Sequence, residues 1–112
     1  MAKNNLIYLK LILESINKME KFVVDFDIDK FEDDYKTQSA VLMQFQIIGE
    51  ISKKINQDIK DKIDLPWREI SGFRDIISHD YFNIDPSFVW ETVNRDIPEL
   101  KKQIENFLEN KA

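Results

Sequence analysis

Trp67-Arg68-Glu69-Ile70-Ser71-Gly72-Phe73-Arg74-Asp75-Ile76-Ile77-Ser78-His79-Asp80-Tyr81-Phe82 is the stretch on which the chain turns. It holds the only histidine, one of two glycines and one of two tryptophans. Pro66 precedes it, at a place where proline suits the first turn of a helix. Glu69 follows where the helix dipole favours an acid. Ile70, Phe73, Ile77 and Phe82 recur at helical spacing, which predicts a helix with that side on a core.

The polar groups fall elsewhere on this helix. At 100° per residue, Arg74, Ser78 and Tyr81 lie within about 60° of one another, and Asp75 and His79 form an adjacent i,i+4 pair. A carboxylate so placed can hold one imidazole nitrogen and leave the other free for proton transfer. Arg74 offers a rigid cationic fork suited to phosphate. Arg74, Asp75, His79 and Tyr81 therefore read as a phosphate-handling acid/base site. The plainer reading is a packing helix with a solvated polar edge, and residue types alone favour it.

Composition narrows the rest. The chain has 112 residues, 43% of them hydrophobic and 12% aromatic, which suits one domain over residues 1–112 with a sizeable core. Two glycines and three prolines allow few turns, so a few long helices are expected rather than a many-stranded sheet. Cysteine is absent, which excludes disulfides and thiolate metal sites, and one histidine disfavours a His-rich metal site. The net charge of −5 rules out binding nucleic acid through a general positive field. Any RNA contact must be local or come from a composite surface. Apolar runs are short and broken by charges, so no membrane span or signal peptide is expected, and the chain reads as cytoplasmic.

In chain order, a first helix is expected over Asn5 to Val24, with Leu9, Ile12, Ile16, Met19 and Val23 as its seam. Leu6, Leu13 and Phe22 widen that seam. Asp25 to Asp34 reads as an acidic connector with a brief helical turn capped by Asp29 and pinned to the core by Phe31. A second helix runs from Tyr35 or Thr37 to about Gln57, with Val41, Phe45, Ile48, Ile55 and Ile59 on its stripe. Gly49 and Glu50 interrupt its apolar middle. Glycine there costs about 1 kcal/mol against alanine, so a close helix contact is expected. Glu50 then either faces water or pairs with Arg74 or Arg68. Asn56 to Leu65 reads as a polar connection, and Tyr81 to Asp85 as a turn. A last helix covers Pro86 to about Glu109, with Pro98 kinking or restarting it and Asp96 as a local cap. The sum is all-α, an antiparallel bundle of four main helices plus a short connecting helix.

At this point the motifs resemble a known family. Arg74, four residues, His79, one residue and Tyr81 resembles the signature of the HEPN superfamily, specifically its HepT-like toxin branch. Pro66-Trp67-Arg68-Glu69-Ile70 before the motif, Asp80-Tyr81-Phe82 after it, and Ile48-Gly49-Glu50 resemble that branch too. So do Thr37-Gln38-Ser39-Ala40-Val41, Val89-Trp90-Glu91 and Asp96-Ile97-Pro98-Glu99-Leu100-Lys101. The resemblance spans nearly the whole chain.

The resemblance implies an α-helical bundle that dimerises through the motif helix and builds a cleft from two copies, with larger hetero-oligomers open. It implies a metal-independent endoribonuclease toxin without cofactor, acting on RNA and paired with a minimal nucleotidyltransferase antitoxin. It implies that Arg74 and His79 are catalytic and that Tyr81 accepts AMP from the antitoxin. Asp75 joins the catalytic group as the residue that orients His79, with Ser78 and Glu50 as supporting candidates and no metal ligand. Asp75 departs from the family, where this position is usually asparagine or another polar residue. An acid here favours a protonated His79 and repels an RNA phosphate. Two other functions fit the same residues: a non-catalytic nucleotide-binding or scaffolding partner of a nucleotidyltransferase, and a plain helical dimerisation module.

Overall fold

A computed structural model describes the backbone of residues 2–111 and the side chains of residues 5–110. Among them are six α-helices and no strand: α1 (Ala2–Phe22), α2 (Ile28–Asp33), α3 (Tyr35–Lys54), α4 (Gln57–Lys60), α5 (Trp67–Asp80) and α6 (Pro86–Lys111). A 3₁₀ turn, Tyr81–Asn83, follows α5. The protein is all-α, with α3 packed between α1 and α5, and α6 lying against α1 and α2. Its 42 × 30 × 18 Å extents are those of two helix layers.

The apolar stripes account for this arrangement. Leu9, Ile12, Ile16 and Met19 of α1 are fully buried, as the three-and-four spacing predicts. They meet Val41, Phe45 and Ile48 of α3 and Val93, Ile97, Leu100 and Ile104 of α6 in one core cluster. Phe31 is fully buried and packs on Trp90 with ring centroids 5.2 Å apart, so it does anchor the acidic connector. Inside this apolar layer, Ser15 Oγ of α1 donates to Gln44 Oε1 of α3 at 2.6 Å. That pair fixes the rotation of one helix on the other, because slippage would bury unpaired polar atoms.

Helix ends follow local chemistry, with several departures from the spacing-based expectation. Asp25 adopts a left-handed φ of 64° just beyond α1, a conformation aspartate tolerates better than most residues. Asp27, not Asp29, caps α2: its backbone is extended and its Oδ1 accepts from the Lys30 amide at 2.8 Å, which leaves Asp29 inside the first turn. Asp34 caps α3 in the same way through the Thr37 amide at 3.0 Å. Within the expected polar connection, Gln57–Lys60 forms a helical turn because Ile59 is drawn into the core.

Pro66 sits outside α5, at its cap, since a ψ of 70° is not helical. The Trp67 indole N–H reaches back to the Lys60 and Ile63 carbonyls at 3.2 and 3.1 Å, tying this helix start to the segment before it. Pro98 does not restart α6, and Asp96 is no cap. Buried Ile97 and Leu100 flank the exposed proline and carry the helix past its one missing N–H. Phe82 is the largest departure. It is 96% exposed, because the helix gives way after Asp80 to the 3₁₀ turn, which takes Phe82 off the core side of α5.

Candidate active site

Gly49 sets the distance between α3 and α5. A Cβ at this position would overlap Arg74 Cβ and stand 3.0 Å from Arg74 Cγ and 3.3 Å from the Ile70 carbonyl oxygen. The missing side chain lets the arginine stem cross the helix surface there, which is the close contact the sequence suggests for this glycine. Once across, Arg74 Nη2 lies 3.0 Å from Glu50 Oε1. Of the alternatives open for Glu50, the structure takes the pair with Arg74 and leaves its carboxylate half-exposed.

Further contacts follow in strict order, descending α3 as they ascend α5. Ser52 meets Ser71 at 3.1 Å. Then come Glu50 with Arg74, and Gln46 Nε2 donating to Ser78 Oγ at 2.9 Å. Last, Ser39 Oγ and Tyr81 Oη lie 2.9 Å apart. Arg74, Ser78 and Tyr81, which share one side of the motif by their spacing, thus all face α3. The spacing within the motif helix points to none of Ser39, Gln46, Ser52 and Lys53 as site residues. Ser39, Gln46, Glu50 and Lys53 nevertheless fall seven, four and three residues apart, a helical line that is visible in the sequence.

Asp75 does not hold His79. Its Oδ1 accepts from Lys53 Nζ at 2.9 Å and from Arg74 Nη1 at 3.2 Å. The two cations outcompete a helical neighbour because they converge on one oxygen from two helices. The hydrogen bond from Lys53, then that from Arg74, hold the Asp75 carboxyl below its usual 3.8. His79 is exposed, and its imidazole makes no hydrogen bond or ion pair with the other described residues. Tyr81 is 43% exposed with its hydroxyl at the surface, where another molecule can reach it.

A cavity of about 390 Å³ lies elsewhere. Phe45, Ile48, Ile70, Phe73, Phe88 and Leu100 are among its lining residues, while none of Arg74, Asp75, Ser78, His79 or Tyr81 lines it. Arg74 and His79, the groups the sequence marks for handling phosphate, lie on the exposed edge of α5 and not in this apolar groove, so that edge is the candidate site. Among the described residues, no group of three His, Asp or Glu side chains is placed to hold a metal ion. No helix among them is long and apolar enough to cross a membrane.

Comparison with known proteins agrees with the motif. The protein named "Probable ribonuclease HepT" of Thermococcus cleftensis is 41% identical over 106 residues, covering 94% of this chain and 96% of that one. "Putative RNase MJ1380" of Methanocaldococcus jannaschii is 39% identical over 99 residues, covering 88% and 91%. A longer protein of the same archaeon, "Gamma-glutamylcyclotransferase and putative RNase MJ0434", is 40% identical, and the match covers 97% of this chain but half of that protein. No solved structure matches. Residues 12–107 match the family described as Ribonuclease HepT-like, and the chain belongs to the HepT-like ribonucleases.

Proposed function

We propose that this HepT-like ribonuclease is the toxin of a toxin–antitoxin pair, a metal-independent endoribonuclease that cuts RNA by attack of a 2′-hydroxyl on the adjacent phosphate. The observation that carries the reading is Arg74, clamped over Gly49 by Glu50 and Asp75, with an uncommitted, exposed His79 five residues along the same helix. His79 takes the proton from the 2′-hydroxyl as the new P–O2′ bond forms. Arg74 stabilises the charge that develops on the phosphate oxygens. The P–O5′ bond breaks, and the leaving oxygen takes a proton from a second acid. The products are a 2′,3′-cyclic phosphate and a 5′-hydroxyl.

One chain supplies a single imidazole for two proton transfers, so a two-fold dimer with a second His79 fits the chemistry. Exposed apolar side chains near the motif support it: Ile76 is 55%, Met43 53% and Phe82 96% exposed. Asp75 positions Arg74 in this scheme instead of orienting His79.

Neutralisation is proposed to act at Tyr81. Its exposed hydroxyl, held by Ser39 near the end of α5, suits a minimal nucleotidyltransferase that attaches AMP and so covers the site with bulk and negative charge. The test is incubation with such an enzyme and ATP, followed by intact mass. One adenylate on the wild type and none on Tyr81→Phe is expected; the same gain on Tyr81→Phe rejects the assignment.

The engagement of both terminal nitrogens of Arg74 by carboxylates favours a second reading, a non-catalytic nucleotide-binding or scaffolding partner of that enzyme. A nuclease assay on purified protein without its partner separates the two.

A further inference from the structure

Glu50, Arg74, Asp75 and Lys53 form one unbroken line of alternating charge across α3 and α5. Successive links measure 3.0 Å, 3.2 Å and 2.9 Å. The line is electrically neutral. Take away Lys53, and the three groups that remain sum to one negative charge beside the arginine on which a phosphate must dock. Lys53 is 40% exposed and Asp75 49%, so the bridge between them adds little to folding stability. Its consequence is for the local field. An acid next to the motif arginine repels a phosphate, and this chain answers it with a lysine from the opposite helix.

We propose that Lys53 is a positioning residue for RNA binding: it neutralises Asp75 and keeps that carboxylate shared with Arg74, so that a phosphate docking on the arginine meets a neutral cluster instead of one carrying a net negative charge. The role rests on the ribonuclease reading above and deepens it, since it names the group that permits an acid at position 75. Lys53 touches no reacting atom. It acts through Asp75 of α5, from a position on α3 one turn beyond Glu50. The depressed titration of Asp75, caused first by Lys53, agrees with a carboxylate kept ionised and paired.

A single uncompensated charge about 6 Å from a phosphate in water changes affinity about threefold at low salt and less as salt rises. The test uses a 2′-O-methyl RNA oligonucleotide, which cannot be cut by 2′-hydroxyl attack, with binding read by fluorescence anisotropy across a salt series. Lys53→Ala is expected to bind about threefold more weakly than wild type at low salt and to converge with it at high salt. Lys53→Arg keeps wild-type affinity. Lys53→Ala with Asp75→Asn regains it, because the charge that needed an answer is gone. In cleavage assays the loss from Lys53→Ala falls on KM rather than on kcat. Equal affinity of Lys53→Ala and wild type overturns the role, as does a double variant no tighter than Lys53→Ala, or a protein that binds no RNA. A wild type that binds with this pattern but cuts nothing instead defeats the ribonuclease reading and leaves the charge compensation standing.

Discussion

Gly49 lies directly under the stem of Arg74, close enough that a methyl group would overlap Arg74 Cβ and approach the Ile70 carbonyl oxygen to 3.3 Å. The obstacles are a side-chain root and a backbone oxygen, neither of which swings aside cheaply. Gly49→Ala must therefore push α5 away from α3. We expect a loss of about 1–3 kcal/mol in urea unfolding, the usual scale of overpacking. We also expect RNA cleavage to fall further than the unfolded fraction explains, because Arg74 moves with its helix. Unchanged stability and cleavage would show that the two helices do not meet as closely as described.

Glu50 anchors the guanidinium from one side, and Glu50→Gln keeps its shape while removing its charge. The pair is half-exposed, so the effect on folding should be small. Cleavage should drop several-fold in kcat/KM as Arg74 loses a fixed orientation. Steady-state kinetics beside a urea titration checks both halves of that expectation.

Ser15 and Gln44 supply a contrast far from the motif. Ser15→Ala strips a buried amide oxygen of its hydrogen bond, which costs about 1–3 kcal/mol. Cleavage per folded molecule should stay at the wild-type level. A fall in kcat at temperatures where the variant is fully folded would couple this core pair to the site.

Acid sensitivity should follow two carboxylates. Hydrogen bonds at the Thr37 amide and hydroxyl lower Asp34, and those from Lys53 and Arg74 lower Asp75, each from 3.8. A folded-state pKa below the unfolded one means that the contribution is complete above 3.8 and fades as pH falls through the lower folded value. Lys101 behaves in the opposite sense. The Glu20 hydrogen bond raises it above 10.5, so its contribution is complete below 10.5 and is lost as pH climbs through the folded value. Urea midpoints of Asp34→Ala and wild type should converge as pH drops from about 5 to about 2.5. Midpoints that stay equally far apart would contradict the capping role.

How much of this was legible in the residues depends on what each signal measures. The seam of α1 and the Val41, Phe45 and Ile48 part of the second stripe were readable, because period and burial report the same thing. Ile55 and Ile59 are buried as expected but lie beyond α3, which ends at Lys54 and not near Gln57. The Gly49 contact was readable because a glycine in an apolar stripe needs a reason, while Glu50 stayed open between water, Arg68 and Arg74 until the structure paired it with Arg74. Phe82 and the pairing of Asp75 were not readable. Spacing places Phe82 on the core side only while the helix continues, and it ends at Asp80. Spacing also sets Asp75 beside His79, but the competing cation comes from α3, and i,i+4 logic is blind to a second helix. Ser39, Gln46 and Lys53 were missed for the same reason, although their helical alignment with Glu50 was there to be seen.

One measurement reaches the central claim directly: cleavage of an RNA oligonucleotide in the presence of a chelator by purified wild type, Arg74→Ala and His79→Ala. Wild type should cut and leave 2′,3′-cyclic phosphate ends, and both variants should be inactive while unfolding at wild-type urea concentrations. Cleavage retained by either variant, or lost from wild type on chelation, would contradict a metal-independent reaction run by Arg74 and His79.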